Sequence, residues 1–144
     1  MVITHKFLQI FHLNYHCPGA NSPISWVEKC VKGIDPDGSN RAKILLGLNF
    51  YGFAYTAEGG GHILGRDFVE HLKKVPKSAK LKWDKDAAEH FVEIRFKSGS
   101  KPKQTLFYPT LNSIQARIDL AQRLGTGISV WEIGQGLDYF YDLF

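Results

Sequence analysis

The sequence lacks the features that mark several large classes of proteins. Its 144 residues contain only two cysteines, Cys17 and Cys30, whose spacing fits neither a CxxC redox pair nor a zinc ribbon. No apolar run approaches the roughly 18 to 20 residues that a membrane-spanning helix needs. The first residues show no signal-peptide core followed by a cleavage site. The sequence therefore predicts that this is not an integral membrane protein. Either the two cysteines form one disulfide, or Cys30 is a buried free thiol.

The sequence also lacks the usual motifs for phosphate binding, for a nucleophilic serine and for a metal site. Gly59–Gly61 is not followed by the Lys and Ser or Thr of a phosphate-binding loop, and reads as a flexible connection. No serine lies in a Gly-x-Ser-x-Gly context. His12 and His16 are four residues apart, but no third metal ligand has a suitable spacing. We therefore expect no metal, no cofactor and no nucleophilic hydrolase.

Positive charge is in modest excess and is unevenly distributed along the chain. The chain has a formal net charge of +4. The segment from Arg66 to Lys103 holds eleven basic and six acidic residues. Because the lysines alternate with acids and no arginine-rich run accompanies them, a solvated face is favoured over a nucleic-acid site. A basic interaction module in residues 66–103, with salt-sensitive binding to polyanions, stays as an alternative.

What the sequence does contain is an alternation of helices and buried strands. Hydrophobic residues make up 44% and aromatic residues 13%, which is enough for a core or for a surface that stacks on flat ligands. Ser22 and Pro23 predict the start of a helix that ends near Ile34, and a second helix is predicted over 111–124. Continuous apolar runs over 43–52 and 127–132 predict strands that are buried on both faces. This order predicts an α/β architecture, either a barrel or an open sheet.

The stretch between these two units has a different pattern. A short helix is predicted over Arg66 to Lys74, and Asp84 and Asp86 indicate the start of another helix. Alternating apolar residues on both sides of residues 98–102 predict an antiparallel hairpin with one solvated face. The chain then closes with a predicted amphipathic helix from Leu137 to Leu143.

The ends of the two buried strands carry the candidate site. Asn49 and Tyr51 end the first strand, and Trp131 and Glu132 end the second. Carboxyl ends of parallel strands meet at one rim, so we expect these four residues to converge. An indole ring stacks on the CH face of a pyranose while amide, hydroxyl and carboxylate groups bind its hydroxyls, which indicates a sugar ligand. Alternatively, Trp131 and Tyr51 fill a barrel interior.

Four sequence blocks around these strands resemble glycoside hydrolase family 18, and in particular its chitinase-like members. The blocks are PISWVEKCV (23–31), NRAKILLGLNFY with Gly52 (40–52), FYPTL (107–111) and ISVWEIGQGLDYFYDL (128–143). The resemblance covers residues 14–144 and leaves 1–13 unmatched. It implies the C-terminal part of a TIM (β/α)8 barrel, with the two buried strands as its seventh and eighth strands. It also implies a small antiparallel insertion at about 56–108.

The resemblance also implies roles for particular residues. Trp131 matches the tryptophan at the floor of the family's sugar site, and Tyr51 matches the tyrosine of its Tyr-Gly motif. Phe53 stands where many active chitinases have arginine. The acidic D-x-x-D-x-D-x-E motif, which the family uses for substrate-assisted hydrolysis, does not occur in this sequence.

These matches and departures set the expected function. We expect binding of a chitin-like oligosaccharide without hydrolysis, in a secreted or lysosomal protein. The alternative is a part of an active family 18 enzyme that acts on N-acetylglucosamine polymers or on peptidoglycan. Because a complete barrel takes about 250 residues, we expect this chain of 144 residues to be part of one.

Overall fold

A computed structural model describes residues 2–3, 18–75, 79–94 and 104–144. In chain order the elements are β1 (Val2–Ile3), α1 (Ile24–Ile34), β2 (Leu45–Asn49), β3 (Gly52–Thr56), β4 (Gly59–Ile63), α2 (Gly65–Lys74), β5 (Leu81–Asp84), β6 (Glu89–Ile94), β7 (Gln104–Tyr108), α3 (Leu111–Leu124) and β8 (Gly127–Trp131). Short 3-10 helices cover Arg41–Lys43, Ile133–Gln135 and Asp138–Leu143. Within these ranges, no helix combines the length and the apolar character needed to cross a membrane.

A parallel sheet contains the two strands that the apolar runs predicted. Its order is β1-β2-β8, and β2 pairs with β8 from Leu45 opposite Gly127 to Asn49 opposite Trp131. The prediction of a buried strand is confirmed for β2, where Leu46 and Leu48 are fully buried. It is wrong for β8, whose residues 127–130 are only half-buried. The reason is position, because β8 forms an edge of this sheet among the described residues.

An antiparallel sheet of order β4-β3-β7-β6-β5 occupies the stretch from Gly52 to Tyr108. The predicted hairpin is confirmed in β6 and β7, which pair from His90 opposite Tyr108 to Ile94 opposite Gln104. The turn that joins them, predicted at 98–102, lies outside the described residues. The chain therefore combines a parallel and an antiparallel sheet in a mixed α/β fold.

The glycine-rich segment is a strand and not the flexible connection that the sequence predicted. Gly59–Ile63 pairs with β3 along its whole length. A Cβ atom on Gly60 would clash with the Phe53 ring on the neighbouring strand. Glycine is therefore needed there because an aromatic ring of β3 lies directly over the backbone of β4.

The predicted helix start at Asp84 and Asp86 is also wrong. Residues 85–88 form a turn between β5 and β6. The Asp84 Oδ1 atom accepts hydrogen bonds from the backbone N–H groups of Asp86 and Ala87, both at 3.0 Å. An aspartate side chain that bonds the backbone in this way stabilises a turn as well as a helix start, and the local sequence does not distinguish the two.

The helices agree with the predicted spans and differ at their ends. Helix α1 begins at Ile24, so Pro23 precedes it, and the side chain of Ser22 does not cap it. The Ile24 N–H instead donates to the carbonyl of Ala87 in the turn after β5. Helix α3 ends at Gly125, whose φ of 72° lies in the left-handed region that glycine tolerates. The predicted terminal helix is present as the 3-10 helix Asp138–Leu143.

One hydrophobic core joins the two sheets. Leu48 of the parallel sheet and Leu106 of the antiparallel sheet belong to the same cluster of buried side chains. Tyr108 bridges the sheets: its ring stacks on Phe68 of α2 at 4.6 Å, and its hydroxyl lies 3.3 Å from the carbonyl oxygen of Gln135 and 3.5 Å from that of Phe50, either of which can accept its hydrogen. The antiparallel sheet is therefore fixed against the end of β2, where the candidate site lies.

Candidate functional site

The carboxyl ends of β2 and β8 lie side by side, as the parallel-strand argument predicted. Asn49 is opposite Trp131 in the register of the two strands. The next residue continues the ladder, since the Phe50 N–H donates to the Trp131 carbonyl at 3.1 Å. The structure therefore brings the residues that end the two strands to one rim.

Trp131 and Glu132 form the exposed half of this rim. The Trp131 side chain keeps 45% of its surface exposed, so it does not fill a core among the described residues. Glu132 is exposed and has a φ of 64°, a left-handed conformation that ends β8 and turns the chain into the next 3-10 helix. The side-chain amide of Gln135 donates to Glu132 Oε2 at 2.9 Å. An aromatic ring and, at the next residue, a carboxylate are thus both exposed at the end of β8.

Asn49 and Tyr51 form the buried half of the rim. They are 6% and 3% exposed, respectively. The Asn49 Nδ2 group donates to the Tyr51 carbonyl at 2.8 Å, and the Nδ2 group of Asn21 donates to the same carbonyl at 3.3 Å. Two amides therefore hold the backbone of Tyr51, and Asn49 acts here as a structural support of the rim.

Electrostatics link Tyr51 to both strand ends. Burial raises the pKa of Tyr51 to about 12, and the negative charges of Glu132 and Glu89 add to the rise. The phenol therefore stays protonated at physiological pH and keeps a hydrogen to donate. The contribution of Glu132 shows that this carboxylate lies within electrostatic reach of Tyr51.

The antiparallel sheet adds residues that sequence reasoning did not assign to the site. The exposed His62 of β4 packs edge-on against Tyr51, with ring centroids 5.0 Å apart, and against Phe53 at 5.3 Å. Phe53 in turn lies opposite Phe107 of β7, which stacks on Phe91 of β6 at 5.1 Å. His62 was missed because its glycine-rich surroundings predicted a loop, and only the strand pairing with β3 places it beside Tyr51.

Asn21 was missed for a similar reason. It lies in a loop before α1 that carries no periodic pattern, and its partner Tyr51 is 30 residues away in the sequence. Its burial to 3% exposure is the signal that identifies it, and this signal exists only in the folded chain.

The arginine and lysine side chains that the structure describes in the segment 66–103 are all exposed, and several of them are paired. Lys73 lies 2.6 Å from Glu70, Lys82 lies 3.3 Å from Glu93, and Arg66 lies near Asp67. Such pairs are typical of a solvated surface, in line with the interpretation favoured by the charge pattern.

The described residues contain no group of three side chains arranged to hold a metal ion. His12, His16 and Cys17 lie outside the described residues. Cys30 is a half-buried free thiol, and burial raises its pKa. The thiol is therefore protonated at neutral pH and is not an activated nucleophile.

Comparison with family models gives no match to this chain. Comparison with solved structures gives clear matches. The spore cortex-lytic enzyme SleL of Bacillus megaterium superposes with a TM-score of 0.76 at 22% identity, over 90% of this chain and 31% of its own. The chitinase of Chromobacterium violaceum has a TM-score of 0.74 at 19% identity, over 87% of this chain and 38% of its own.

Human YKL-39, a pseudo-chitinase with retained chitooligosaccharide binding properties, has a TM-score of 0.64 at 19% identity. Its match covers 81% of this chain and 38% of YKL-39. The described residues have the fold of the C-terminal part of a chitinase-like barrel. The chain spans about a third of the length of these proteins.

Proposed function

We propose that this chain is the part of a chitinase-like protein of glycoside hydrolase family 18 that contains barrel strands seven and eight. In this proposal β2 and β8 are those two strands, and the antiparallel sheet is the insertion between them. The sequence blocks support a branch similar to chitinase domain-containing protein 1, and the resemblance favours a secreted or lysosomal location. The shared fold supports a family member in general.

The proposed activity is binding of a chitin-like oligosaccharide. The observation that carries it is the exposed Trp131 ring at the end of β8, opposite Asn49 in the register of β2 and β8. Exposing a tryptophan at a strand end leaves a large apolar surface in water, and a sugar CH face is a ligand that covers such a surface. The chitooligosaccharide binding of YKL-39, which shares this fold, supports the same ligand class.

The buried residues have supporting roles in this proposal. The Tyr51 hydroxyl, which stays protonated, is the hydrogen-bond donor to the sugar, and Glu132 is the acceptor. Asn49 acts through the backbone of Tyr51, which its amide holds in place. The three residues and Trp131 thus provide a stacking platform, a donor and an acceptor at one rim.

We further propose that this chain by itself does not hydrolyse its ligand. The family's acidic motif does not occur in the sequence, and Phe53 stands where many active chitinases have arginine. The second candidate is a part of an active glycosidase, and what favours it is that SleL and the Chromobacterium chitinase, which share the fold, are enzymes. A hydrolysis assay on the N-acetylglucosamine tetramer separates the two candidates, and release of shorter oligosaccharides by this chain would support the second.

Isothermal titration calorimetry with the same tetramer tests the binding proposal. We expect Trp131→Ala to weaken binding by about 1 to 2 kcal/mol, because the mutation removes the stacking surface. Trp83→Ala is the matched control, since Trp83 is a tryptophan of similar exposure (38%) on β5, outside the rim. We expect that control to bind as the wild type does. Unchanged affinity of a folded Trp131→Ala variant would contradict the proposal.

A further inference from the structure

Arg117 is a fully buried side chain on α3 with an unusual set of partners. Its Nη1 group donates to the carbonyls of Ala88 and Ser113, each at 2.9 Å. Its Nη2 group donates to the Ser22 carbonyl at 2.6 Å and to the Ala87 carbonyl at 3.1 Å. The guanidinium thus joins three segments that are distant in sequence: the loop before α1, the turn between β5 and β6, and α3 itself.

Within the described residues, Arg117 has one carboxylate partner, Glu89, and the contact with it is long. Glu89 Oε2 is 3.3 Å from Arg117 Nη2, and Glu89 Oε1 is buried with no hydrogen-bond partner in the described part of the chain. The short contacts of Arg117 therefore go to backbone carbonyls and not to a counter-charge. An arginine used in this way fixes backbone segments relative to one another, because its planar fork binds several acceptors at set angles.

The shortest of these contacts leads to the candidate site. Ser22 is the neighbour of Asn21, and the Asn21 side chain donates to the Tyr51 carbonyl at the end of β2. The same loop is held a second time where the Ile24 N–H donates to Ala87, another partner of Arg117. A change at Arg117 is therefore transmitted to Tyr51 through one residue of loop and one side-chain amide.

We propose that Arg117 is a positioning residue of the sugar site, which holds Ser22 so that Asn21 keeps the Tyr51 carbonyl in place at the end of β2. The inference rests on the proposed sugar binding for its functional consequence, whereas its structural link from Arg117 to Asn21 is independent of any ligand. Arg117 does not contact the sugar in this scheme. It acts on the sugar site through the backbone of Tyr51, which the Asn21 side chain holds.

The test compares Arg117→Lys with Arg123→Lys. Lysine keeps the positive charge but lacks the planar guanidinium group, so it cannot bind at once all the backbone carbonyls that Arg117 binds. Arg123 lies on the same helix, is exposed and pairs with Glu28 of α1, so it is a matched control whose ion-pair partner lies on a helix and not in the loop before α1. Two readouts are taken below the melting temperature of every variant: the NMR signals of the Asn21 and Asn49 side-chain amides, and the dissociation constant of the N-acetylglucosamine tetramer.

We expect Arg117→Lys to shift the Asn21 amide signals and to weaken tetramer binding about tenfold, the equivalent of one hydrogen bond, while Arg123→Lys changes neither. Asn21→Ala should weaken binding to a similar extent, and the double variant Arg117→Lys/Asn21→Ala should bind no worse than Asn21→Ala alone. Such non-additivity shows that both residues act through one contact, which a general loss of stability would not produce.

Three results would overturn the inference: unchanged Asn21 signals in a folded Arg117→Lys variant, additive losses in the double variant, or full affinity in Asn21→Ala. If Arg117→Lys does not fold, Arg117→Gln takes its place in the same comparison, and full affinity in Asn21→Ala still overturns the inference. If the wild-type chain binds no tetramer, the proposed function fails, and the Asn21 signals still decide whether Arg117 positions the loop.

Discussion

Glu89 is a carboxylate that the fold keeps out of water. It is fully buried, and burial raises its pKa from 4.5 to about 7 against the opposing attraction of Arg117. Asp84, opposite Glu89 on β5, adds to the rise. Besides burial, the negative charge of Glu89 contributes to the raised pKa values of Tyr51 and Tyr55. The folded chain thus favours the protonated form of Glu89.

This preference has a consequence for stability as a function of pH. Between about pH 4.5 and about pH 7 the folded state binds the Glu89 proton more tightly than the unfolded state does, so the stabilising contribution falls as the pH rises through this window. Glu89→Gln removes the titration and keeps the shape of the side chain. We therefore expect the stability of Glu89→Gln relative to the wild type to increase from pH 5 to pH 8.

Denaturant unfolding at several pH values measures this difference. Glu70→Gln is the control, because Glu70 is exposed on α2 and its hydrogen bond with Lys73 lowers its pKa. The small contribution of Glu70 to the free energy of unfolding is therefore lost as the pH falls, whereas the contribution of Glu89 is lost as the pH rises. A constant difference between Glu89→Gln and the wild type across this range would show that Glu89 is ionised throughout.

At the scale of single elements, β4 shows how a glycine-rich run becomes a strand. A Cβ on Gly60 would also lie 3.0 Å from the Ala54 carbonyl, besides its clash with Phe53. A Cβ on Gly61, the next residue, meets nothing within 4 Å. The two neighbouring glycines therefore differ in whether the fold needs them.

We expect Gly60→Ala to lower the free energy of unfolding by about 1 to 3 kcal/mol, because the methyl group must displace Phe53 or separate β4 from β3. Gly61→Ala should change it by less than about 0.5 kcal/mol, since its methyl group enters open space. Thermal unfolding of the two variants provides the measurement. Equal stability of both variants would mean that β4 does not pair with β3 as described.

Strand β8 is less buried than its apolar sequence predicts. Its apolar run resembles that of β2, yet its residues 127–130 stay half-buried while β2 is buried from Leu46 onwards. The difference is the number of neighbours: β2 lies between β1 and β8, and β8 lies at an edge of the described sheet. Apolar sequence determines which residues favour burial, whereas strand order determines which of them become buried.

At the scale of the whole molecule, the two sheets share one core and should unfold together. Leu106 of the antiparallel sheet is fully buried in the cluster that also contains Leu46 and Leu48 of the parallel sheet. Leu106→Ala should lower the free energy of unfolding by about 2 to 5 kcal/mol through the cavity it leaves. Hydrogen exchange should then show reduced protection in both sheets.

The control for this experiment is Leu111→Ala at the start of α3, where the leucine is 40% exposed. We expect a change of less than about 1 kcal/mol there, because little apolar surface is lost from the interior. Loss of protection in the antiparallel sheet alone after Leu106→Ala would contradict a shared core.

The sequence by itself predicted the elements whose signals are local. The apolar run of β2, the helical spacing of α3 with its terminal Gly125, and the β6–β7 hairpin are all visible within short windows, since each depends on periodicity or on a turn residue. The convergence of Asn49 and Trp131 was also predicted, because parallel strands end at the same edge.

Only the tertiary structure decided the rest. Whether Asp84 starts a helix or a turn, whether residues 59–63 form a strand, and that Trp131 stays exposed all depend on what lies across from these residues. Arg117 and Ser22 are 95 residues apart in sequence, and nothing local marks either as part of a site. A contact of this kind exists only once the chain has folded, because folding brings the two groups together where water is excluded, and the hydrogen bond between them then compensates for their loss of hydration.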